Sequence, residues 1–323
     1  MRILVTGGAG YIGSVMTKML LDKGYEVVVL DDLSNGKPEA VDKRAGLEVA
    51  DLAETDKVDA LIRGGNFDAA MHFAGVISMG ESMADPAKYF RINAFCALSL
   101  FEALAKNSVN KIIFSSTAGV YGDTEQGLIA EDHPKSPTNP YGESKLMVES
   151  MLGWYRDIHG LRSISLRYFN AAGAMLDGTL GENHEPETHI IPLALGAAKT
   201  GNEFKLFGDD YPTPDGTCVR DYIHVEDLAE AHLLALEALL NDHPGGVYNV
   251  GSGRGYSNRE VLSTVEKVTG KRLNLSVVQR RPGDAPRLVA DISRLRSELK
   301  WNPTRSDLNT VIRSAWEYEK KRT

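Results

Sequence analysis

Met1-Arg-Ile-Leu-Val-Thr-Gly-Gly-Ala-Gly-Tyr-Ile-Gly13 opens the chain and decides how the rest is read. An apolar strand runs straight into Gly7, Gly10 and Gly13, and a helix pattern follows. Gly7 permits a tight turn, Gly10 lets the backbone approach a pyrophosphate, and Gly13 lets the helix pack on the sheet. The helix N-terminus offers unpaired N–H groups and a positive dipole end to that pyrophosphate. Alone, such spacing marks only a tight strand–helix turn. Here a second apolar run, 26–30, ends in Asp31-Asp32. An acid at that strand tip accepts hydrogen bonds from ribose hydroxyls and repels a 2′-phosphate, which points to NAD rather than NADP.

The pattern continues through the first half. Strands are expected at 2–6, 26–30, 46–50, 68–73, 110–115 and 162–167, with helices at 11–23, 53–63, 92–107 and 140–159. The strands are short and almost uninterrupted by polar residues, as in a parallel sheet covered on both faces. Alternation at this spacing predicts an α/β fold, a doubly wound parallel (Rossmann) sheet. Ligands of such sheets bind at the carboxyl ends of the strands. Those ends carry Asp51-Leu52, placed to meet an adenine, then His72-Phe73-Ala74-Gly75, Ser115-Ser116-Thr117 and Arg167-Tyr168-Phe169-Asn170.

After about residue 171 the character changes. Segment 174–190 reads as a polar loop with Gly178, Gly181 and Pro186, and 212–216 and 280–284 read as irregular stretches. Helices return at about 190–199, 224–240, 258–269 and 306–320. The expected organisation is a dinucleotide-binding domain over 1–172 and a smaller α/β substrate lobe over 173–323. Residues 218–252, with a strand at 247–250, are expected to pack back on the large sheet.

Composition excludes several classes. The 323 residues carry a net charge of −8, and lysines and arginines form no stripe, which argues against nucleic acid or an anionic membrane surface. No apolar run is long enough to span a bilayer, and the N-terminus enters a strand at once, so a cytoplasmic protein without a signal peptide is expected. Cys96 and Cys218 lie far apart without metal spacing and read as inert small residues in a reducing compartment. No zinc-ligand pattern or P-loop lysine was evident, so no metal is expected.

Tyr141-Gly-Glu-Ser-Lys145 follows Pro140 on a helix and is the sharpest catalytic signal. Residues four apart share one helix face, with Cβ atoms about 6 Å apart. A tyrosine with an ordinary pKa of about 10 is a poor base at neutral pH. A neighbouring ammonium stabilises the phenolate, and a phenolate poised near neutrality is a competent general base. Such a pair is common on ordinary helices. The dinucleotide pattern and the hydroxyl cluster at 115–117 give this one its weight.

These motifs together resemble the extended short-chain dehydrogenase/reductase superfamily and, within it, the UDP-glucose 4-epimerases. The resemblance runs nearly end to end. Beyond the motifs above it includes Asp31-Asp-Leu-Ser-Asn35, Ser115-Ser-Thr-Ala-Gly-Val-Tyr-Gly-Asp123, Pro212-Thr-Pro-Asp-Gly216 and Val219-Arg-Asp-Tyr-Ile-His224. The last two discriminate within the superfamily. The resemblance implies catalysis by Tyr141, Lys145 and Thr117, the threonine hydrogen-bonding the reacting sugar oxygen. It implies NAD held by Gly7, Gly10, Tyr11, Ile12, Gly13, Asp31, Asp32, Asn35, Asp51, Leu52, Phe73, Ala74, Gly75, Asn93, Ser115, Tyr141, Lys145 and Tyr168. It implies a UDP-sugar held by Thr117, Tyr141, Asn170, His189, Ile190, Arg220, Arg281, Asp284 and Leu288. Arginine forks suit a diphosphate; the alternative for Arg220 is a salt bridge to Asp221 or Asp227. The implied reaction oxidises carbon 4 to a 4-keto sugar, lets the sugar turn over, and returns hydride to the other face. A homodimer is also implied, pairing helices 92–107 and 140–159 into a four-helix bundle.

Two positions depart from relatives. Ile77 stands where many carry a lysine that reaches the NAD pyrophosphate, which bears on cofactor retention. Leu288 stands where some carry a tyrosine closing the pocket over the sugar's 2-position, so UDP-N-acetylhexosamines are expected to fit as well. Rival readings are a UDP-pentose 4-epimerase, a 4,6-dehydratase or decarboxylase, an ordinary NAD-dependent dehydrogenase, and a non-catalytic NAD-binding module. The dehydratase lacks its acid pair, because Thr117 is followed by Ala118-Gly119. A module that only binds NAD would not need Tyr141 and Lys145.

Overall fold

Parallel strand pairing organises the first half of the chain. The computed structural model describes residues 1–123, 127–281 and 284–322; Pro282 and Gly283, within the expected irregular stretch 280–284, lie outside the described residues. Seven strands form one sheet in the order Gly246–Val250, Arg162–Tyr168, Lys111–Thr117, Ala69–His72, Arg2–Thr6, Glu26–Asp31, Gly46–Val49. Arg2–Thr6 pairs in parallel with both Glu26–Asp31 and Ala69–His72, with Thr6 opposite Leu30 and His72. Ala69–His72 pairs in parallel with Lys111–Thr117, and Glu26–Asp31 with Gly46–Val49. The carboxyl ends of these strands therefore lie along one edge of the sheet. Helices Tyr11–Asp22, Thr55–Gly65, Cys96–Lys106 and Pro140–His159 follow the strands as expected from their periodicity.

The chain divides into two compact units. The first comprises residues 1–122, 135–167 and 229–248; the second comprises 123–134, 168–228 and 249–323. The first has a core in which Phe101, Phe114, Leu100 and Leu104 are fully buried between sheet and helices. Burial of such a side chain is worth roughly 1.5–3 kcal/mol. The second has a separate core of Ile191, Leu195, Leu206, Tyr222, Val261, Val265, Val311 and Ile312. Its helices are Ile190–Thr200, Asn258–Thr269, Ser293–Leu299 and Leu308–Lys321. Its small sheet sets Val219–His224 between Gly255–Ser257 and Arg287–Leu288, with Asn170–Ala172 also paired to it. Glu203–Phe207 and Asn274–Val278 form a parallel pair.

Two local features depart from the sequence reading. Residues expected as one helix, 92–107, instead begin with a π-helical turn, Phe90–Phe95, before Cys96–Lys106 takes up α geometry. The wider turn buries Asn93, and hydrophobic spacing alone does not report such a turn. The strands of the second unit were not among those expected: they pair with partners distant in sequence, and Asn170–Ala172, Gly255–Ser257 and Arg287–Leu288 span only two or three residues each.

Candidate active site

The glycine turn is built as its spacing requires. Gly7 has φ +73°, and a Cβ there would collide with the backbone of Ala74. A Cβ at Gly13 would strike the Gly7 carbonyl. Gly10 is open by contrast, with its nearest neighbour, the Gly7 carbonyl, 3.4 Å from a Cβ. Gly10 caps helix Tyr11–Asp22, which has no side-chain cap and no acid in its first turn. An uncapped helix N-terminus beside an open backbone suits an anionic group. Asp31 is 8% exposed; its carboxylate accepts the Ala9 N–H at 2.9 Å and the Leu33 N–H at 2.9 Å, fixing this turn against the strand tip. Burial raises its pKa, and the two backbone donors oppose that rise. Each oxygen keeps a second lone pair for a ribose hydroxyl. Asp32 binds the Ser34 N–H and hydroxyl, while Asn35 and Asp51 are exposed and Leu52 is buried.

Helix Pro140–His159 carries Tyr141 and Lys145 on one face. Asn139 caps it by accepting the Gly142 N–H at 2.9 Å, and Pro140 supplies the preset φ of a first helical residue. A Cβ at Gly142 would press on the Gly119 carbonyl, so only glycine lets this helix approach the turn after Thr117 so closely. The Thr117 hydroxyl accepts the Gly119 N–H at 3.0 Å. Tyr141 is 7% exposed, its ring edge-on to Tyr89 at 6.4 Å. The Lys145 ammonium is buried, donates to the Ser115 carbonyl at 3.2 Å and sits 5.0 Å over the Phe114 ring. Desolvation lowers its pKa to about 8, so it remains largely charged at neutral pH. His72 stays neutral: burial, then the Lys145 charge, lowers its pKa to about 3, while its Nδ1 meets the Thr6 hydroxyl at 2.7 Å. Asn93 accepts the Val76 N–H at 2.8 Å and donates to the Ser144 hydroxyl at 3.0 Å, and that hydroxyl donates to the Tyr141 carbonyl at 2.7 Å. The π-helical turn is thereby tied to the first turn of the helix bearing Tyr141. Phe73 is half-buried and tilts on His232 at 4.9 Å.

The buried ammonium costs stability where it is charged. In the unfolded chain Lys145 keeps its proton up to about pH 10.5, but in the fold only up to about 8. Between these values the unfolded state binds more protons, so stability rises with pH there; the penalty is full below about pH 8. Lys145→Met is therefore expected to stabilise the protein at pH 7 by on the order of 1–3 kcal/mol. The gain should vanish as pH nears 10.5. Urea unfolding across pH 6–10, with parallel activity assays, checks whether the stabilised variant has lost its rate.

Of the residues attributed to the substrate, Thr117 and Tyr141 lie in the first unit and the others in the second. Leu288 lies in register with Arg220 on neighbouring strands. The Arg220 guanidinium donates to the carbonyls of Ala285 at 2.7 Å and Val219 at 3.0 Å, and lies 3.6 Å from the Asp284 carboxylate. Neither Asp221 nor Asp227 is the acid across from it in this geometry. Asp221 is fully buried and accepts the N–H groups of Ser252, Gly253 and Ala290; burial pushes its pKa up to about 6. Asp227 pairs with Arg305 at 3.0 Å. Asn170 donates to the Asp221 carbonyl at 3.1 Å, which brings it beside the Arg220 strand. Arg281 is exposed, its guanidinium lies 3.9 Å over the Phe207 ring, and its carbonyl accepts the Asp284 N–H at 3.4 Å. His189 and Ile190 begin helix Ile190–Thr200, and Tyr168 is half-buried at its strand end.

Three groupings escaped the sequence reading. Arg167 and Glu149 form a buried ion pair beneath the hydroxyl cluster, which no local spacing announces. Ser144 links Asn93 to Tyr141, although it sits inside the quoted Tyr141–Lys145 motif. Glu182, His184, Glu187 and His189 converge in the segment read as a loop, where Glu-x-His-x-x-Glu-x-His was the available signal. Cys96 and Cys218 are buried, and burial raises the pKa of both thiols, that of Cys96 to about 11.

Comparison with known proteins agrees with this geometry. Residues 3–251 match the NAD dependent epimerase/dehydratase family. The UDP-glucose 4-epimerase of Lacticaseibacillus casei is 46% identical over 319 residues, covering 98% of this chain and 96% of that protein. The crystal structure of UDP-glucose 4-epimerase from Brucella ovis in complex with NAD is 42% identical, with a TM-score of 0.94 over 98% of this chain and 97% of that one. The UDP-Glc/GlcNAc 4-epimerase from Campylobacter jejuni is 40% identical, with a TM-score of 0.87 over 99% of both chains. The chain thus belongs to the NAD-dependent epimerase/dehydratase family, among its UDP-glucose 4-epimerases.

Proposed function

We propose that this chain catalyses NAD-dependent epimerisation at carbon 4 of a UDP-hexose, interconverting UDP-glucose and UDP-galactose, with NAD on the first unit and the UDP-sugar held by the second. The observation that carries the catalytic assignment is the Lys145 ammonium, buried one helical turn from Tyr141 on the helix whose N-terminus packs against the Thr117 turn. The residues of the first unit fit NAD: an open Gly10 at an uncapped helix N-terminus receives a pyrophosphate, and Asp31 keeps lone pairs for a ribose.

NAD, when bound, supplies a hydride acceptor and donor to carbon 4. The Tyr141 oxygen removes the proton of the 4-hydroxyl and later returns one to the same sugar oxygen. Lys145 stabilises the phenolate through its charge. The Thr117 hydroxyl hydrogen-bonds the reacting oxygen and holds it beside Tyr141. Arg220, Asn170 and Arg281 anchor the UDP, with Asp284 near its ribose. Binding energy concentrated there leaves the sugar loose enough to present either face.

The test is to incubate purified protein with UDP-galactose, add no nucleotide, and separate the products by chromatography. UDP-glucose without added NAD is the expected result. Product only with added NAD keeps the chemistry and assigns weak cofactor retention to Ile77, a 39% exposed residue. No product under either condition, with turnover of a UDP-pentose, would replace the hexose by the pentose.

Leu288 extends the substrate range in this reading. It is half-buried and lies opposite Arg220. UDP-N-acetylgalactosamine is expected to turn over, and Leu288→Tyr to reduce that activity at least ~10-fold relative to UDP-galactose. Competing-substrate assays give the ratio directly; an unchanged ratio removes Leu288 as the determinant.

A homodimer and a cytoplasmic location belong to the same proposal. Ile92, Phe95, Met147, Trp154 and Ile158 are all exposed, Phe95 at 63%, Trp154 and Ile158 at 68%. Met147, Trp154 and Ile158 share one face of their helix by spacing. Sedimentation should give a dimer that Trp154→Glu shifts toward monomer; a monomeric parent would remove the bundle. Among the described residues no helix is long and apolar enough to cross a membrane.

A further inference from the structure

Four side chains from one short stretch of the second unit, Glu182, His184, Glu187 and His189, bring their ligand atoms within 4.8 Å of one another. His189 Nδ1 lies 2.8 Å from Glu182 Oε1 and 3.0 Å from Glu187 Oε1; His184 Nδ1 lies 3.1 Å from Glu182 Oε1. Tetrahedral zinc with ligands at ~2.0–2.1 Å has ligand–ligand edges of ~3.3 Å. Three of the edges, at 2.8–3.1 Å, are slightly shorter than that, and all four ligand atoms stay within 4.8 Å of one another.

The chemistry of the four groups narrows the ion. Two imidazoles and two carboxylates suit a borderline cation such as Zn²⁺, whereas Mg²⁺ and Ca²⁺ favour all-oxygen sites. Two carboxylates balance the charge of one divalent ion bound by neutral imidazoles. The Glu182 side chain is only 7% exposed and that of Glu187 19%. Among the described residues their ion-pair partners are these histidines, so no arginine or lysine fills the position of a cation.

We infer that Glu182, His184, Glu187 and His189 form a tetrahedral site for a zinc-class divalent cation, which clips the stretch 182–189 at the start of helix Ile190–Thr200. His189 is the N-cap residue of that helix and makes no side-chain capping bond there. The ion would replace the missing cap as the element that fixes how the chain enters the helix. Its role is structural, and it takes no part in the hydride and proton steps.

The test uses the full chain, stripped with a chelator and desalted. Zn²⁺ is titrated against a chromophoric competitor, and Co²⁺ is followed by its visible spectrum. One equivalent of Zn²⁺ per chain and a tetrahedral Co²⁺ band are expected. Glu187→Gln and His184→Ala should each weaken uptake at least ~10-fold. Zn²⁺ should raise the Tm of the stripped parent and leave that of the variants unmoved. Circular dichroism of each variant in chelator separates lost ligation from lost fold, and a variant that does not fold leaves the comparison to the other. Less than stoichiometric uptake, or uptake that the folded variants retain, overturns the site. None of these readouts depends on turnover.

Discussion

Replacing Tyr141 with phenylalanine is expected to lower kcat for UDP-galactose epimerisation by ~10²–10⁴-fold, with KM nearly unchanged. The substitution is conservative for packing. Tyr141 is 7% exposed and its ring meets Tyr89 edge-on at 6.4 Å, contacts that phenylalanine keeps. What disappears is the oxygen proposed to carry the proton. No other group in the cluster can take it over. His72 is buried beneath Phe114, holds Thr6 and stays neutral far below physiological pH. Lys145 is an ammonium at neutral pH and already donates to the Ser115 carbonyl. The Thr117 hydroxyl does not ionise near neutral pH, and as a neutral hydroxyl it is too weak a base to take the proton. A rate within a few-fold of the parent would place the base elsewhere, and unchanged KM with a collapsed kcat would assign Tyr141 to the transition state rather than to binding. Circular dichroism and the nucleotide content of the purified variant are the controls.

What the sequence made legible was local. Gly13 works within one turn, against the Gly7 carbonyl, and the positive φ of Gly7 is local too, although the collision that excludes a side chain at Gly7 is with the distant Ala74 backbone. Tyr141 and Lys145 are one helical turn apart, so their spacing already fixes their common face. The apolar runs at Arg2–Thr6, Ala69–His72 and Lys111–Thr117 needed no partner information, because strands covered on both faces read as largely hydrophobic segments, whereas the edge strand Gly46–Val49 is exposed throughout. Asp31 was only half legible: the acid at the strand tip was visible, but not that it also braces Ala9 and Leu33. The second unit was the least legible. Arg287–Leu288 has only two residues, and it pairs with Val219–His224 across some seventy residues of chain. Asp221 drew attention as a partner for Arg220, whereas its carboxylate instead gathers the N–H groups of Ser252, Gly253 and Ala290. Side-chain direction along a strand cannot be read until the strand itself is known.

The largest stability effect is expected at Arg167 and Glu149, a pair that is nowhere adjacent in sequence. Their side chains are 4% and 7% exposed. Arg167 Nε lies 2.9 Å from one Glu149 oxygen and Nη2 2.5 Å from the other, a two-pronged contact. Nη1 donates to the Tyr121 hydroxyl at 2.8 Å, and the Ser116 hydroxyl donates to Glu149 at 2.6 Å. All three guanidinium nitrogens and both carboxylate oxygens are thus engaged, the condition under which a buried ion pair is tolerable. Arg167→Met leaves a carboxylate buried without its cation and is expected to cost ~3–5 kcal/mol, lowering Tm by roughly 4–7 °C. Glu149→Leu should cost a similar amount by stranding the guanidinium. The double variant should be more stable than either single one, because it leaves no unpaired charge. Activity should not recover with it: Ser116 stands between Ser115 and Thr117, and its hydrogen bond to Glu149 helps hold the strand end that presents the Thr117 hydroxyl. Thermal unfolding and kcat, measured on the three variants, separate these effects. Single variants costing under ~1 kcal/mol would mean that water reaches the pair and solvates the remaining charge.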